Sequence, residues 1–147
     1  MGSSTAESEV FIPLAEWLDN QGYQFFVHVP NAHRSVEGYA RLYERYPSHT
    51  ITIGSYRPDV VGFTPSNRVF AVEVKGTESL RKGLGQTLCY LRGADYAYLA
   101  AEETAIKQIQ DVAISKGIGT FGVNQDTQSV VQDHPSSSEM KDLLWLW

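Results

Sequence analysis

The chain carries one cysteine, Cys89, so it can form neither an intramolecular disulfide nor a cysteine-based zinc site. Long hydrophobic runs are also missing, and none approaches the ~20 residues needed to span a bilayer. The N-terminus lacks the basic-then-apolar pattern of a secretory signal, which makes the cytoplasm the expected location. No internal repeat or low-complexity linker interrupts the chain. Positive charge is in short supply overall, with 12 Lys/Arg against 17 Asp/Glu and a net charge of −5. A uniformly basic nucleic-acid binder is therefore excluded, and the distribution of charge matters more than its sum.

At 147 residues and 42% hydrophobic content, the chain is long enough for one globular domain, 1–147, with a single buried core. Its cations are concentrated between Asn31 and Arg92, where nine Lys/Arg face five Asp/Glu for +4, leaving −9 elsewhere. A basic middle on an acidic body suits a phosphate-binding face, although solvated surface charge explains any single residue as well. Cys89, among Leu88, Tyr90 and Leu91, is expected to be a small core hydrophobe.

Residues 57–90 organise the rest. The run 69–75, VFAVEVK, has the β-branched composition of an interior strand, yet Glu73 and Lys75 sit two apart near its end and so share a face. Charges on a covered sheet face are costly unless paired or holding a metal. Asp59 opens a second apolar run, Val60 to Phe63, and Thr64-Pro65-Ser66-Asn67 between the runs is turn chemistry, predicting an antiparallel hairpin. With Phe63 opposite Val69, Asp59 falls opposite Glu73. Two carboxylates and an ammonium then converge, and an all-oxygen patch suits Mg²⁺ or Mn²⁺.

Pro58-Asp59 followed by Glu73-Val74-Lys75 resembles the PD-(D/E)xK nuclease superfamily, and Gln86-Thr87-Leu88-Cys89-Tyr90 is similar to the Q-x-x-x-Y motif of its RecB-type and lambda-exonuclease-like branch. The resemblance implies an α/β restriction-endonuclease-like core, α-β-β-β-α-β, with a mixed central sheet flanked by helices. It further implies that Asp59, Glu73 and the Val74 carbonyl hold Mg²⁺ or Mn²⁺. Lys75 would orient and deprotonate the attacking water, and Gln86 would bind water at the ion or hold its helix in register. Tyr90 would contact a phosphate or pack beside it. An acid from the first helix would complete the site, with Glu9 as candidate and Glu16 as alternative. Bland readings stand beside these: Glu73 and Lys75 as an ion pair at a sheet edge, Asp59 as a turn residue, Glu9 and Glu16 as solvated charges.

The remainder follows in order. Ser4 and Glu7 form a capping box for a helix to about Gln21 with Val10, Leu14, Trp17 and Leu18 inward, and Pro13 predicts a kink or a late start. Residues 23–29 read as a strand with Tyr23, Phe25 and Val27 on one face and His28 on the other, as a structural histidine or a substrate contact. An insertion, 31–48, holds a short helix over 35–46, with a stripe of Val36, Tyr39, Tyr43 and Tyr46 and with Arg41 and Arg45 four apart. With His33 and Arg34 this is either a clamp for a nucleic-acid strand or core contact. Residues 50–53 read as a strand, 80–92 and 103–116 as helices, 96–101 as a strand, and 119–123 with 129–132 as a hairpin. Gly83 and Gly85 each cost a helix about 1 kcal/mol, which points to a close backbone approach or a late helix start. Arg57, Arg81 and Lys82 are placed to meet phosphates. The tail, 136–147, opens with a second capping box and ends in an apolar helix that packs on its own domain or makes a homodimer through 139–147.

The leading expectation is a Mg²⁺-dependent deoxyribonuclease acting on DNA, with RNA not excluded and no membrane partner. One alternative is a catalytically silent module of the same fold that binds nucleic acid or a partner protein. Another is a dimeric resolvase for branched DNA.

Overall fold

The computed structural model describes residues 7–28, 42, 44–76, 80–124 and 126–134. Among these residues, three helices flank a six-stranded mixed sheet: α1 (Glu7–Asn20), α2 (Leu80–Tyr90) and α3 (Glu103–Ser115), with β1 (Gln24–Val27), β2 (Val60–Phe63), β3 (Val69–Val74), β4 (Tyr96–Glu102), β5 (Gly119–Asn124) and β6 (Ser129–His134). The strands lie side by side in chain order. Pairs β1–β2, β2–β3 and β5–β6 are antiparallel, while β3–β4 and β4–β5 are parallel, each parallel step being crossed by one helix.

Two apolar layers cover the two faces. On one side α1 buries Val10, Phe11, Leu14, Ala15 and Leu18 against Val72, Val74, Ala100 and Phe121 of the sheet. On the other, α2 and α3 bury Leu84, Tyr90, Ile106 and Ala113 over Ala71, Ala97, Leu99 and Ala101. At about 1.5–3 kcal/mol for each large apolar side chain buried, these layers outweigh the helix propensity of any single residue. Pro13 is an example. The helix neither starts late nor stops there, because Pro13 is itself buried within Glu7–Asn20 and its packing offsets the lost backbone bond. Helix α1 ends where Gly22 takes φ 90°, with Gly22 N–H donating to Asp19 O at 3.1 Å and Tyr23 N–H to Leu18 O at 3.0 Å. This is the glycine-terminated C-cap that a left-handed residue permits. Ser4, assigned as the N-cap, lies outside the described residues, as do Val29, most of the 35–46 helix and the tail 136–147.

The first strand is shorter than the sequence pattern suggests, and residues 50–53 form no strand. Ile53 makes only an isolated bridge to Tyr56 around Gly54, which adopts φ 61°. Both edges of β2 are already taken by β1 and β3, so this segment finds no partner there. Its alternation is satisfied by packing instead: Ile51 and Ile53 lie against the cluster of Val61, Ala71 and Tyr90. Cys89 also departs from expectation, being half-buried and in hydrogen-bond contact with the exposed Tyr56. Among the described residues no helix is long and apolar enough to cross a membrane.

Gly62 holds the β1–β2 seam closed. A Cβ there would come within 1.9 Å of Gln24 O and 2.6 Å of Phe25 Cα, both backbone atoms that cannot swing aside. Gly62→Ala is expected to separate the strands and to destabilise the fold by about 3 kcal/mol, the upper range for overpacking, as read from the urea midpoint. A midpoint unchanged from the parent would show that β1 can shift without loss.

Candidate metal and phosphate site

The hairpin pairs in the register that its turn predicts, Val60 opposite Val72 and Phe63 opposite Val69. Asn67 takes φ 64° in the turn, and its N–H donates to Thr64 O at 2.9 Å. Continued by one residue, the register brings Asp59 beside Glu73. Three main-chain bonds fix Asp59: its N–H donates to Val72 O at 3.0 Å, its O accepts from His28 N–H at 2.8 Å, and its Oδ2 accepts from Val74 N–H at 2.8 Å. His28, Asp59 and Glu73 thus form a row across β1, β2 and β3 on the face that α2 covers. The His28 ring Nδ1 lies 3.3 Å from Thr50 Oγ1.

Glu73 is buried, and both its oxygens are engaged. Tyr90 Oη donates to Oε1 at 2.5 Å, and Lys75 Nζ lies 3.5 Å from Oε2. Lys75 stands just past the end of β3, anchored by its N–H to Ala100 O at 2.8 Å. Its stem lies along α2 at Gly83, where a Cβ would come within 3.1 Å of Lys75 Cγ and 2.9 Å of Leu99 Cδ1. The close approach expected of the glycines in this helix therefore occurs at Gly83, while a Cβ on Gly85 would meet nothing within 4 Å. Gln86 precedes Tyr90 by one turn on the same helix face, and its Oε1 is buried without a hydrogen-bond partner.

The electrostatics follow from crowding acids under a helix. Burial raises the Asp59 carboxyl well above the usual carboxylate range, and the neighbouring Glu73 charge adds to this, against the opposing pull of the Val74 N–H and Lys75. Glu73 is also raised by burial, with Tyr90 and Lys75 acting in the opposite direction. The Tyr90 hydroxyl is pushed up by its own burial and by Glu73, so it remains a donor. Glu7, in the first turn of α1, raises both carboxylates by its charge. Sequence reasoning had assigned Glu7 only to a capping box and looked instead to Glu9 and Glu16. Glu9 is exposed, and Glu16 pairs with Arg45 at 3.2 Å. Nothing in the spacing of α1 distinguishes Glu7 from Glu9 before the helix is docked.

Two neighbouring acids, with an unpartnered amide oxygen at Gln86 on the covering helix, are a donor set that suits a hard divalent cation. Among the described residues no group of three or more His, Cys, Asp or Glu converges as a ready-made cage. Mg²⁺ is suited to such a set, because it is usually held by one or two carboxylates and keeps several waters. Of the residues expected to meet phosphates, Arg57 is exposed next to Pro58, and Arg81 and Lys82 are exposed in the first turn of α2. Tyr90 is buried against Glu73 and is not offered to solvent. Arg45 is occupied by Glu16 and lies over the Tyr46 ring at 5.4 Å, while Arg34 and Arg41 lie outside the described residues.

A carboxyl whose folded pKa is raised holds its proton more tightly in the folded than in the unfolded chain. Its stabilising contribution is complete below the unfolded value of about 4 and is lost as pH rises through the folded value. In chelator, the melting temperature of the parent is therefore expected to fall as pH rises above about 4 through the raised Asp59 value. Asp59→Asn keeps an acceptor for Val74 N–H and removes the charge. It should melt about 3 °C or more above the parent at neutral pH, and differential scanning calorimetry in chelator reads the difference. A variant less stable than the parent would show that the Asp59 charge is already well compensated.

No family model matches the chain, and no curated protein or solved structure is similar enough to it to count as a match.

Proposed function

We propose that this protein is a metal-dependent phosphodiesterase that cleaves DNA, with the restriction-endonuclease-like core implied by the resemblance of its motifs. The observation that carries this reading is the meeting of Asp59 and Glu73 from adjacent strands on one covered face, with Lys75 Nζ 3.5 Å from Glu73. The order α1-β1-β2-β3-α2-β4 among the described residues, with Asp59 just before β2 and Glu73 within β3, is consistent with the order the resemblance implies.

Asp59, Glu73 and the Val74 carbonyl would hold Mg²⁺ or Mn²⁺. When bound, the ion supplies positive charge at the phosphate and acidifies water. The chain's own residues do the rest. Tyr90 fixes the rotamer of Glu73 through Oε1, so one carboxylate is oriented before any ligand arrives. Lys75, held by Glu73 and by the wall at Gly83, directs its ammonium to one place, where it orients the attacking water and exchanges a proton with it. Gln86 Oε1 accepts from that water, which would give the buried oxygen the partner it lacks. Arg57, Arg81 and Lys82 meet the flanking phosphates. Glu7 adds negative charge to the site and is the first-helix acid this reading favours, in place of Glu9.

A second reading, a nuclease-fold module that binds nucleic acid or a partner without cutting, is favoured by one observation: both Glu73 oxygens already have partners within the protein. Calorimetry with Mg²⁺ and Mn²⁺, together with labelled single- and double-stranded substrates, separates the two. Cleavage that requires the ion supports the enzyme, and ion binding without turnover on any substrate supports the module.

For the enzyme, Asp59→Ala, Glu73→Ala and Lys75→Ala are each expected to lower Mg²⁺-dependent cleavage by at least about 10²–10⁴-fold with unchanged circular dichroism. Retention of parental cleavage by the Glu73 and Lys75 variants would sink the assignment.

A further inference from the structure

Away from the carboxylates, α2 and α3 leave an open groove of about 600 Å³ between them. Its floor is apolar: Leu84 and Leu88 come from α2, Ile109 and Val112 from α3. Val112 is 46% exposed, an unusual position for a valine on a helix whose neighbours Ile106 and Ala113 are fully buried. The rim is cationic, with Arg81 at one end and Lys116 at the other. Gly85 forms part of the wall, and open space lies where its side chain would be. An apolar floor between two cations calls for an occupant that is itself apolar and carries acids.

The chain contains such a segment, and the fold delivers it to the right place. Strand β6 runs antiparallel to β5 with His134 opposite Thr120, so the chain leaves the sheet at the end where α3 finishes, close to Lys116. Residues 135–147, which lie outside the described residues, hold Glu139, Lys141 and Asp142, a net charge of −1 from side chains, and then the run Leu143-Leu144-Trp145-Leu146-Trp147. Thirteen residues reach about 43 Å when extended, and the distance from Arg81 to Leu88 along α2 is only about 11 Å. Thirteen residues are ample for such a span, and the segment's net negative charge, two acids against Lys141, is opposite to that of the Arg81 and Lys116 rim. A nucleic-acid strand would be served by the rim but not by the floor.

We propose that segment 139–147 docks in this groove of its own domain, with Leu and Trp side chains on the Leu84, Leu88, Ile109 and Val112 floor and Glu139 and Asp142 toward the cationic rim. The inference uses neither Asp59 nor Glu73, and of the residues proposed to meet phosphates it shares only Arg81, at one end of the groove.

The test is tryptophan emission and acrylamide quenching of the full chain in a Trp17→Phe background, where Trp145 and Trp147 are the remaining indoles. The expected result is emission to the blue of the urea-denatured chain, with quenching severalfold weaker. Gly85→Glu introduces its side chain into open space and adds a charge that repels the segment. It should shift emission toward the denatured value and restore strong quenching, with the far-ultraviolet circular dichroism kept. Val112→Glu, on the opposite wall and already exposed, should act the same way and carries the test should Gly85→Glu fail to fold. Three outcomes overturn the proposal: solvent-like emission in the Trp17→Phe parent, blue emission that neither variant changes, or indole burial that appears only at concentrations where sedimentation shows a dimer. The last would mean that the segment docks on a second copy.

Discussion

A carboxylate on a covered sheet face is tolerated only while other groups answer its charge, and the site is built around that constraint. Glu73 is answered by Tyr90 from the helix above and by Lys75 from the end of its own strand. Asp59 is answered by the Val74 N–H and by the charge of Lys75, and burial and Glu73 still hold its carboxyl well above the usual range. These contacts tie β2, β3 and α2 into one unit. The hairpin register brings the acids together, the parallel step from β3 to β4 carries α2 across them, and Gly83 lets the lysine stem lie flat against that helix.

The arrangement makes ionisation of Asp59 harder than it would be in water. Burial and mutual repulsion both favour protonation of Asp59, and Glu7 adds to the imbalance from α1. A cation bound there would relieve a strain already present, and the free energy of binding would appear in part as folding stability. Compensation of this kind is common where function needs a group that packing alone would reject.

Much of this was legible in the sequence. Alternation in 69–75 and turn residues between two apolar runs were sufficient to fix the hairpin register, because a slip of one residue would move every side chain to the wrong face. The helices after β3 and β4 were equally readable from their periodicity. Tertiary context decided the rest. Residues 50–53 alternate like a strand yet find both sides of β2 already paired and pack through Ile51 and Ile53 instead, and Pro13 sits inside α1 because burial offsets its local cost. Glu7 could not be separated from Glu9 by spacing, since which of them is felt at the carboxylates depends on how α1 is laid across the sheet. Tyr90 looked like a candidate for the substrate, and its burial turned it into a support for Glu73.

Asp59 is clamped by β1 on one side and β3 on the other, through His28, Val72 and Val74, and none of these partners belongs to the irregular stretch that precedes it. Residues 46–57 reach the acid only indirectly, through Thr50 at the His28 ring and Ile51 and Ile53 on the Val61, Ala71 and Tyr90 cluster. The position of the acid is thus set by the hydrogen bonding of the sheet itself, and the segment before it reaches it only through these side-chain contacts.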